Sequence, residues 1–396
     1  MTETVVAPPP EARTGLGVRL AALAVGQVVS WGVLYYGLIV AGPRIAEETG
    51  WPLPLVTGLY SASLIVSAVC GIVIGRLLDH RSPRLVMTAG SMLGVTGFVI
   101  VALAPNPVVF GVGWMIVGVA ESAVLYQAAF TVITRRHGDK RHTPLLILTL
   151  AGGLASTIFA PLTAALLSVL DWHSTFLVLA GILAVVTIPI HWFSLESRWA
   201  PLTHARSGAE HTVAMVLRTS RFWFLELSTL ATMLALYAVT LAAIPLFTEK
   251  GMDYGLAALA LGMIGAGQVA GRLLFVALPR RTAPWLVLAA VGALSAICLL
   301  LLGIVPGPEW LLIVIAVLAG AVRGALTLVN ASAVADRWGT ANYGAINGAF
   351  AAPVTIATAI APAVGPLVAA GTGSTAGMAL VMAGLALAGA VLARRS

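Results

Sequence analysis

Charged residues are scarce in this chain. Asp, Glu, Lys and Arg together form 9% of its 396 residues, whereas hydrophobic residues form 59% and the mean hydropathy is +0.99. A soluble globule of this length needs far more polar surface than this composition supplies. The composition therefore predicts a protein that lies within a lipid bilayer.

Cysteine is nearly absent, and the usual catalytic motifs are missing. The two cysteines, Cys70 and Cys298, fall within separate apolar stretches, which indicates neither a disulfide framework nor a metal site. The sequence contains no nucleotide-binding loop, no His/Cys metal spacing and no hydrolase elbow. We therefore expect a protein that is not an enzyme and that carries no cofactor and no metal.

Long polar segments are rare as well, and the apolar residues between them form twelve stretches. A lipid interior cannot hydrogen-bond exposed backbone, so stretches of about twenty apolar residues cross it as helices. The sequence thus predicts an all-α membrane protein with spans at 16–42, 53–78, 85–104, 108–134, 144–169, 174–194, 220–248, 255–278, 285–304, 310–334, 343–370 and 373–393.

The Lys and Arg residues predict how these helices are oriented. Eighteen of the 22 lie in the two termini, in alternate gaps between the spans or at the span ends beside them, and loops rich in these residues face the cytoplasm. Both termini are then cytoplasmic, and the net charge of +7 is explained by anionic lipid headgroups, so no nucleic-acid partner is expected. Four cations depart from the pattern: Arg44, Lys250, Arg272 and Arg323.

One long hydrophilic break divides the chain. Residues 195–219 are polar and basic, which predicts a cytoplasmic linker between a six-helix bundle at 16–194 and another at 220–393, after a disordered tail at 1–15. The same four-residue motif occurs once in each half, as Gly75-Arg76-Leu77-Leu78 and as Gly271-Arg272-Leu273-Leu274. Two related halves suit alternating access, although chance similarity between helices rich in Leu and Gly also explains the repeat.

The loop after the second span resembles a known signature. Gly75 followed by Asp79-His80-Arg81-Ser82-Pro83-Arg84 is similar to the Gly-x-x-x-Asp-Arg-x-Gly-Arg motif of the major facilitator superfamily, with His80 and Ser82 as departures. Further segments resemble its monocarboxylate and oxalate/formate branch: Trp31-Gly32 with Tyr35-Tyr36, Gly50-Trp51, Gly267-Gln268-Val269-Ala270-Gly271-Arg272, and Asn342-Tyr343-Gly344 with Asn347-Gly348.

The resemblance implies two six-helix bundles that rock about a central cavity, with helices one, four, seven and ten lining it. It also implies that the loop of Asp79 and Arg84 closes the cytoplasmic side. A carboxylate there can pair with arginines or cap a neighbouring helix, and breaking those contacts would favour opening. For Arg81 and Arg84, a role limited to setting the topology is an equal alternative.

Arg272 is the leading candidate for a substrate site. Arg76 lies next to the polar loop that follows its helix, whereas six apolar residues separate Arg272 from Pro279, so Arg272 lies within the bilayer. A charge there costs at least about 2.5–3.5 kcal/mol and should face a partner or a polar cavity. The resemblance implies that this arginine binds a substrate carboxylate, with Gln268 where the branch has an aspartate. A structural ion pair or deep snorkelling is the alternative.

Polar residues in other spans form further candidates. Glu121 in helix four and Arg323 in helix ten could pair across the cavity, either as a structural salt bridge or as a proton-accepting gate. Polar stripes place Tyr35 on helix one and Tyr237 on helix seven as pocket residues, and Asn347 of helix eleven joins them. Single polar residues also act as ordinary glue between membrane helices.

These features predict a secondary active transporter of small organic anions in the cytoplasmic membrane, functional as a monomer, with protons or a counter-anion as coupling partner. Two alternatives are proton-coupled efflux of drug-like or lipophilic compounds and a non-transporting membrane sensor.

Overall fold

The fold is helical throughout the described residues. The computed structural model describes residues 10–198, 212–277, 282–340 and 342–396. A π-helical turn at Trp31–Tyr36 joins α1 to α2, and a 3-10 turn at Gly138–Lys140 follows α6. The α-helices are α1 Pro10–Ser30, α2 Gly37–Thr49, α3 Leu53–His80, α4 Pro83–Ala102, α5 Pro107–Val124, α6 Tyr126–His137, α7 His142–Gly153, α8 Ala155–Val169, α9 Trp172–Ser194, α10 Val213–Leu217, α11 Ser220–Leu241, α12 Ala243–Glu249, α13 Tyr254–Ala277, α14 Pro284–Ile304, α15 Glu309–Ala333, α16 Ala335–Trp338, α17 Tyr343–Thr372 and α18 Thr375–Ala393.

Twelve helical segments in the described part of the chain are long and apolar enough to cross a membrane. The first combines α1, the π turn and α2 in one segment over Gly17–Thr49, and the fourth combines α5 and α6 over Pro107–His137. The predicted all-α class and the predicted number of spans are therefore confirmed. The cytoplasmic location of both termini stays a prediction.

Most of the predicted linker and tail lies outside the described residues. Of the tail, residues 10–15 are described and are helical. Proline suits the first turn of a helix because its fixed φ is already helical, which agrees with a helix that includes Pro10. Of the linker, the short helix α10 is described, and Thr212 caps it by accepting a bond from the Met215 backbone N–H at 3.3 Å. The predicted bundle boundaries stay a prediction.

The helices group into two compact units by their contacts. The first unit comprises Met1–Tyr60, His80–Ala129 and Ile147–Pro201, and the second comprises Ser61–Asp79, Phe130–Leu146 and Leu202–Ser396. Aromatic rings fill the first unit: the rings of Phe98 and Phe176 stack with centroids 4.7 Å apart. The core of the second unit is mainly aliphatic, with Leu, Ala, Val and Ile in the majority.

Short polar side chains start several helices. Asn106 precedes α5, and its side-chain oxygen accepts from the backbone N–H groups of Val108 and Val109, both at 3.0 Å. Asp171 precedes α9 and accepts from the Ser174 N–H at 2.7 Å. These bonds satisfy donors that have no partner within the helix. The bond from Ser174 lowers the pKa of Asp171 because it favours the ionised carboxylate.

Two of the four exceptional cations bind at helix ends. Arg44 pairs with Glu47 at 3.1 Å and with Glu48 at 2.6 Å on the same helix. The Lys250 ammonium donates to two carbonyl oxygens at the end of α14, at 3.1 and 2.7 Å, where the helix dipole is negative. Partial burial lowers the pKa of Lys250. Both residues are therefore accounted for by local contacts.

Glycines bring α13 and α15 into direct backbone contact. A Cβ added at Gly267 or Gly271 would clash with backbone atoms of Val317 or Ala321. A Cβ added at Gly324 would clash with the carbonyl group of Gln268. Small residues allow membrane helices to approach this closely, and van der Waals packing then holds them together. We call this contact the glycine seam.

Replacing Gly271 by alanine tests the glycine seam. The new methyl group forces the two backbones apart, so we expect Gly271→Ala to lower the free energy of unfolding by about 1–3 kcal/mol. The measurement is the unfolding midpoint of the purified protein in detergent. Gly265→Ala on the same helix is the matched control, because its Cβ would meet nothing within 4 Å and it gains the same helix propensity. Equal midpoints for the two variants would show that the seam is loose.

Candidate functional site

The structure separates Arg272 from Arg76 in the way the sequence predicted. The Arg272 side chain is buried, at 7% exposure, whereas Arg76 is exposed. Both arginines follow a glycine in the same four-residue motif, Gly-Arg-Leu-Leu. Arg272 lies on α13, which packs along α15 at the glycine seam.

Arg323 and Tyr237 form a stacked pair in the second unit. The guanidinium carbon of Arg323 lies 3.9 Å from the centre of the Tyr237 ring. The Tyr237 hydroxyl also lies within electrostatic range of Arg272. A guanidinium over an aromatic face is attracted by the ring quadrupole and keeps its donors at the edges free to bind an acceptor. Three helices, α11, α13 and α15, thus contribute to one cationic cluster.

The glycine seam sets the spacing of the two arginines. Arg272 follows Gly271, and Arg323 precedes Gly324, so each arginine leaves its helix next to a glycine of the seam. Gln268 lies one turn before Arg272 and is half-buried, and its carbonyl group contacts α15 at Gly324. The three polar side chains therefore start from adjacent turns of two helices in contact. We call Arg272, Arg323, Tyr237 and Gln268 the arginine cluster.

Asp79 makes its contacts at the start of α17. Its two carboxylate oxygens accept from the backbone N–H groups of Gly344 and Ala345, at 2.9 and 2.7 Å. Arg135 lies 3.9 Å from the carboxylate and also donates to the Asp79 carbonyl oxygen at 2.5 Å. An anion at a helix N-terminus satisfies unpaired donors and complements the helix dipole. A Cβ at Gly75 would clash with the Gly344 carbonyl, so this glycine permits the approach.

Arg84 and Asn347 lie on different helices, α4 and α17. Arg84 donates from Nε to the Leu195 carbonyl oxygen at 3.0 Å and lies 5.8 Å from the Trp192 ring centre, so it holds the end of α9. Asn347 lies on α17 and is buried at 3% exposure. The gating role of Asp79 and Arg84 and the substrate role of Asn347 stay predictions.

A second ion pair, which the sequence did not predict, joins Arg141 to Asp336. Arg141, which precedes α7, pairs with Asp336 of α16 and also donates to the Gly138 carbonyl oxygen at 3.0 Å. Arg141 is buried at 5% exposure. The two partners are 195 residues apart, so no local pattern could have linked them.

Glu121 lies in the first unit, near the end of α5. Its side chain is 1% exposed, and neither carboxylate oxygen has a hydrogen-bond partner among the described residues. Tyr35 lies in the π turn of the same unit, and its backbone carbonyl accepts from the Tyr60 hydroxyl at 3.1 Å. Arg323 belongs to the second unit, so the predicted pairing of Glu121 with Arg323 stays a prediction.

Comparison with known proteins decides the family. The family model described as Major Facilitator Superfamily matches residues 23–308. This chain belongs to the Major Facilitator Superfamily. The superfamily resemblance of the Asp79 loop is thereby confirmed. Membership in the monocarboxylate and oxalate/formate branch stays a prediction.

Solved structures of superfamily members share the fold. The structure of the E. coli fucose:proton symporter FucP matches with a TM-score of 0.74 and 18% identity, covering 96% of this chain and 98% of that one. The human organic anion transporter MFSD10 matches with a TM-score of 0.64 and 16% identity, covering 97% and 100%. At these identities the likeness concerns the fold alone.

Two curated relatives match over shorter stretches. An uncharacterized 38 kDa protein of Thermoproteus tenax is 29% identical over 228 residues, which cover 57% of this chain and 55% of the relative. The transcription regulatory protein OpdE of Pseudomonas aeruginosa is 28% identical over 256 residues, 61% of each chain. The match therefore spans less than two thirds of either relative.

Removing the Asp79 carboxylate should loosen the start of α17. Asp79→Ala leaves the Gly344 and Ala345 amides without their acceptor, which costs about 0.5–2 kcal/mol for a helix cap. We expect hydrogen exchange in a peptide covering 342–350 to become at least about twice as fast, measured by mass spectrometry. Asp171→Ala removes a cap from α9 and is the control, because it should leave that peptide unchanged. Unchanged exchange in Asp79→Ala would mean that the cap does not hold α17.

Proposed function

We propose that this chain is a secondary active transporter of small organic anions, of the monocarboxylate type, that works by alternating access. Membership in the Major Facilitator Superfamily supports transport of a small solute across a membrane. The observation that carries the anionic substrate is the arginine cluster. It contains a buried arginine, Arg272, and a second arginine, Arg323, stacked on Tyr237.

The arginine cluster has the chemistry that a carboxylate requires. A guanidinium stays charged at any relevant pH and binds a carboxylate through two parallel hydrogen bonds. Two arginines within one bundle repel each other, and a bound anion removes that repulsion. Gln268 and Tyr237 add neutral polar groups that can orient the ligand. A structural neighbour described as an organic anion transporter agrees with this proposal but shares only the fold.

The remaining candidates receive supporting roles in the proposal. Tyr35 and Asn347 shape the substrate pocket, while Glu121 and Arg323 couple or gate transport with protons or a counter-anion. Asp79 holds α17 until the cytoplasmic side opens, and Arg84 steadies the neighbouring helix end. The protein acts as a monomer in the cytoplasmic membrane.

Two other functions make different demands on the same residues. Proton-driven efflux of lipophilic compounds needs Glu121 but has no need of Arg272. A non-transporting sensor binds a ligand without moving it, and one relative is described as a transcription regulatory protein. Ligand binding without counterflow in liposomes would select the sensor.

Counterflow of labelled carboxylates in proteoliposomes tests the proposal. We expect the wild-type protein to exchange at least one member of a panel of mono- and dicarboxylates. Arg272→Ala should reduce that exchange at least about tenfold, since a charged hydrogen bond contributes about 1.5–3 kcal/mol. Arg272→Lys keeps the charge but loses the two-pronged contact, so it should give an intermediate rate.

The control for this experiment is Arg76→Ala. Arg76 lies in the other copy of the Gly-Arg-Leu-Leu motif but is exposed, so its loss should leave carboxylate exchange near the wild-type rate. Equal unfolding midpoints for both variants show that folding is intact. The proposal is wrong if no carboxylate exchanges in the wild-type protein, or if Arg272→Ala exchanges as fast as Arg76→Ala.

A further inference from the structure

Aromatic rings in the first unit surround the π turn of the first span. The Trp31 ring centre lies 5.0 Å from that of Tyr35 and 4.8 Å from that of Tyr126. The Tyr35 ring in turn lies 5.9 Å from that of Tyr60. Three of these four rings, those of Trp31, Tyr35 and Tyr126, are only partly buried. We call the four rings the aromatic cage.

The aromatic cage is held in place from several sides. A π turn widens the helix by one residue, and such turns occur frequently at functional sites. The Tyr126 hydroxyl donates to the Thr149 carbonyl oxygen at 3.2 Å, and a Cβ at Gly152 would clash with the Tyr126 ring. The Tyr60 hydroxyl donates to the Tyr35 carbonyl oxygen. These contacts hold the rings of Tyr60 and Tyr126 in position.

The fourth span has a break just after Glu121. Helix α5 ends at Val124, and Leu125 has an extended conformation before α6 begins. Gln27 lies one turn before Trp31, and its side-chain Nε2 donates to the Val124 carbonyl oxygen at 2.5 Å. Glu121 lies one turn before Val124 and within electrostatic range of the Tyr60 hydroxyl. Glu121 thus lies beside the aromatic cage.

Several buried polar atoms at this place have no hydrogen-bond partner in the part of the chain that the structure describes. Among the described residues, no hydrogen bond reaches either carboxylate oxygen of Glu121, the side-chain oxygen of Gln27 or the indole nitrogen of Trp31. Glu121 is 1% exposed and Gln27 is fully buried. Buried polar groups almost always have partners, and unsatisfied ones are costly. Three of the four unpartnered atoms are acceptors, so the missing partner carries hydrogen-bond donors or positive charge.

We propose that Glu121 and the aromatic cage bind an organic ammonium group. A carboxylate neutralises the cation, and the faces of Trp and Tyr rings attract it through their quadrupoles. The partly exposed rings give methyl or methylene groups on the nitrogen an apolar surface. This inference goes beyond the proposed function: it assigns to the first unit a site for an organic ammonium group, such as that of a betaine or an amino acid.

Tetramethylammonium chloride is the first probe, because it has the cation without a carboxylate. Titration calorimetry on the full-length protein in nanodiscs should show binding, with sodium chloride as the blank. Glu121→Gln should weaken that binding at least tenfold and Trp31→Leu should weaken it at least threefold, while Glu121→Asp should retain part of it. Glu226→Gln is the matched control: Glu226 is also 1% exposed with unpartnered oxygens, but it lies on α11 in the second unit. It should bind tetramethylammonium as the wild type does.

Two compounds of equal shape then test whether the site recognises positive charge. Glycine betaine and 3,3-dimethylbutanoate share a carboxylate and a three-methyl head, and only betaine has a positive nitrogen. The wild-type protein should prefer betaine at least tenfold, and Glu121→Gln should lose that preference.

The outcomes separate the two proposals. Equal affinity of the wild type for betaine and dimethylbutanoate, or no binding of tetramethylammonium, overturns the ammonium site even if carboxylates are transported; in that case Glu121 holds only a proton. Binding of tetramethylammonium that depends on Glu121, with no binding of either carboxylate, supports the ammonium site and contradicts the anion transporter.

Discussion

Charge inside a bilayer must be neutralised by an opposite charge of the protein, by a proton or by a ligand, because lipid offers neither water nor counter-ions. This constraint limits the chain to few charges and makes each internal one informative. Among the described residues, Arg272, Arg323, Glu121 and Glu226 all lie within spans. Each internal charge is kept at a cost in free energy, and its retention is understandable where a ligand supplies the opposite charge.

The two units meet this constraint in opposite ways. The second unit has arginines beside a tyrosine, which suits an anion, and the first has a carboxylate beside tyrosines and a tryptophan, which suits a cation or a proton. Aromatic rings occur beside the charged residues of both units. An aromatic ring is apolar enough to lie in the protein interior, and its face attracts a cation. The sign of the charge therefore differs between the two units: arginine makes it positive in the second, and glutamate makes it negative in the first. The aromatic surroundings are similar.

The sequence predicted the features that depend on local pattern. Span number follows from apolar length, and the burial of Arg272 followed from counting the apolar residues after it. Long-range partners were beyond it: Asp79 binds amides 265 and 266 residues away, and Gln27 binds a carbonyl 97 residues away. No periodicity specifies such contacts, since they depend on which helices pack together. The contacts of Tyr60 and Tyr126 could not be predicted for the same reason, whereas Tyr35 lies in a short motif that the sequence shows; its role as a pocket residue stays a prediction.

The glycine seam has a consequence for how this protein can move. Backbones in direct contact along several turns cannot slide or rotate past each other without opening a void, so α13 and α15 travel as one body. Arg272 and Arg323 are attached to that body on either side of the seam, so the close contact holds their two backbone attachment points at one spacing. Under the proposed function, these attachment points are where both arginines reach towards the substrate. A substitution at a glycine of the seam would then move both arginines together, so the size of substrate that fits would respond to the glycines as well as to the arginines.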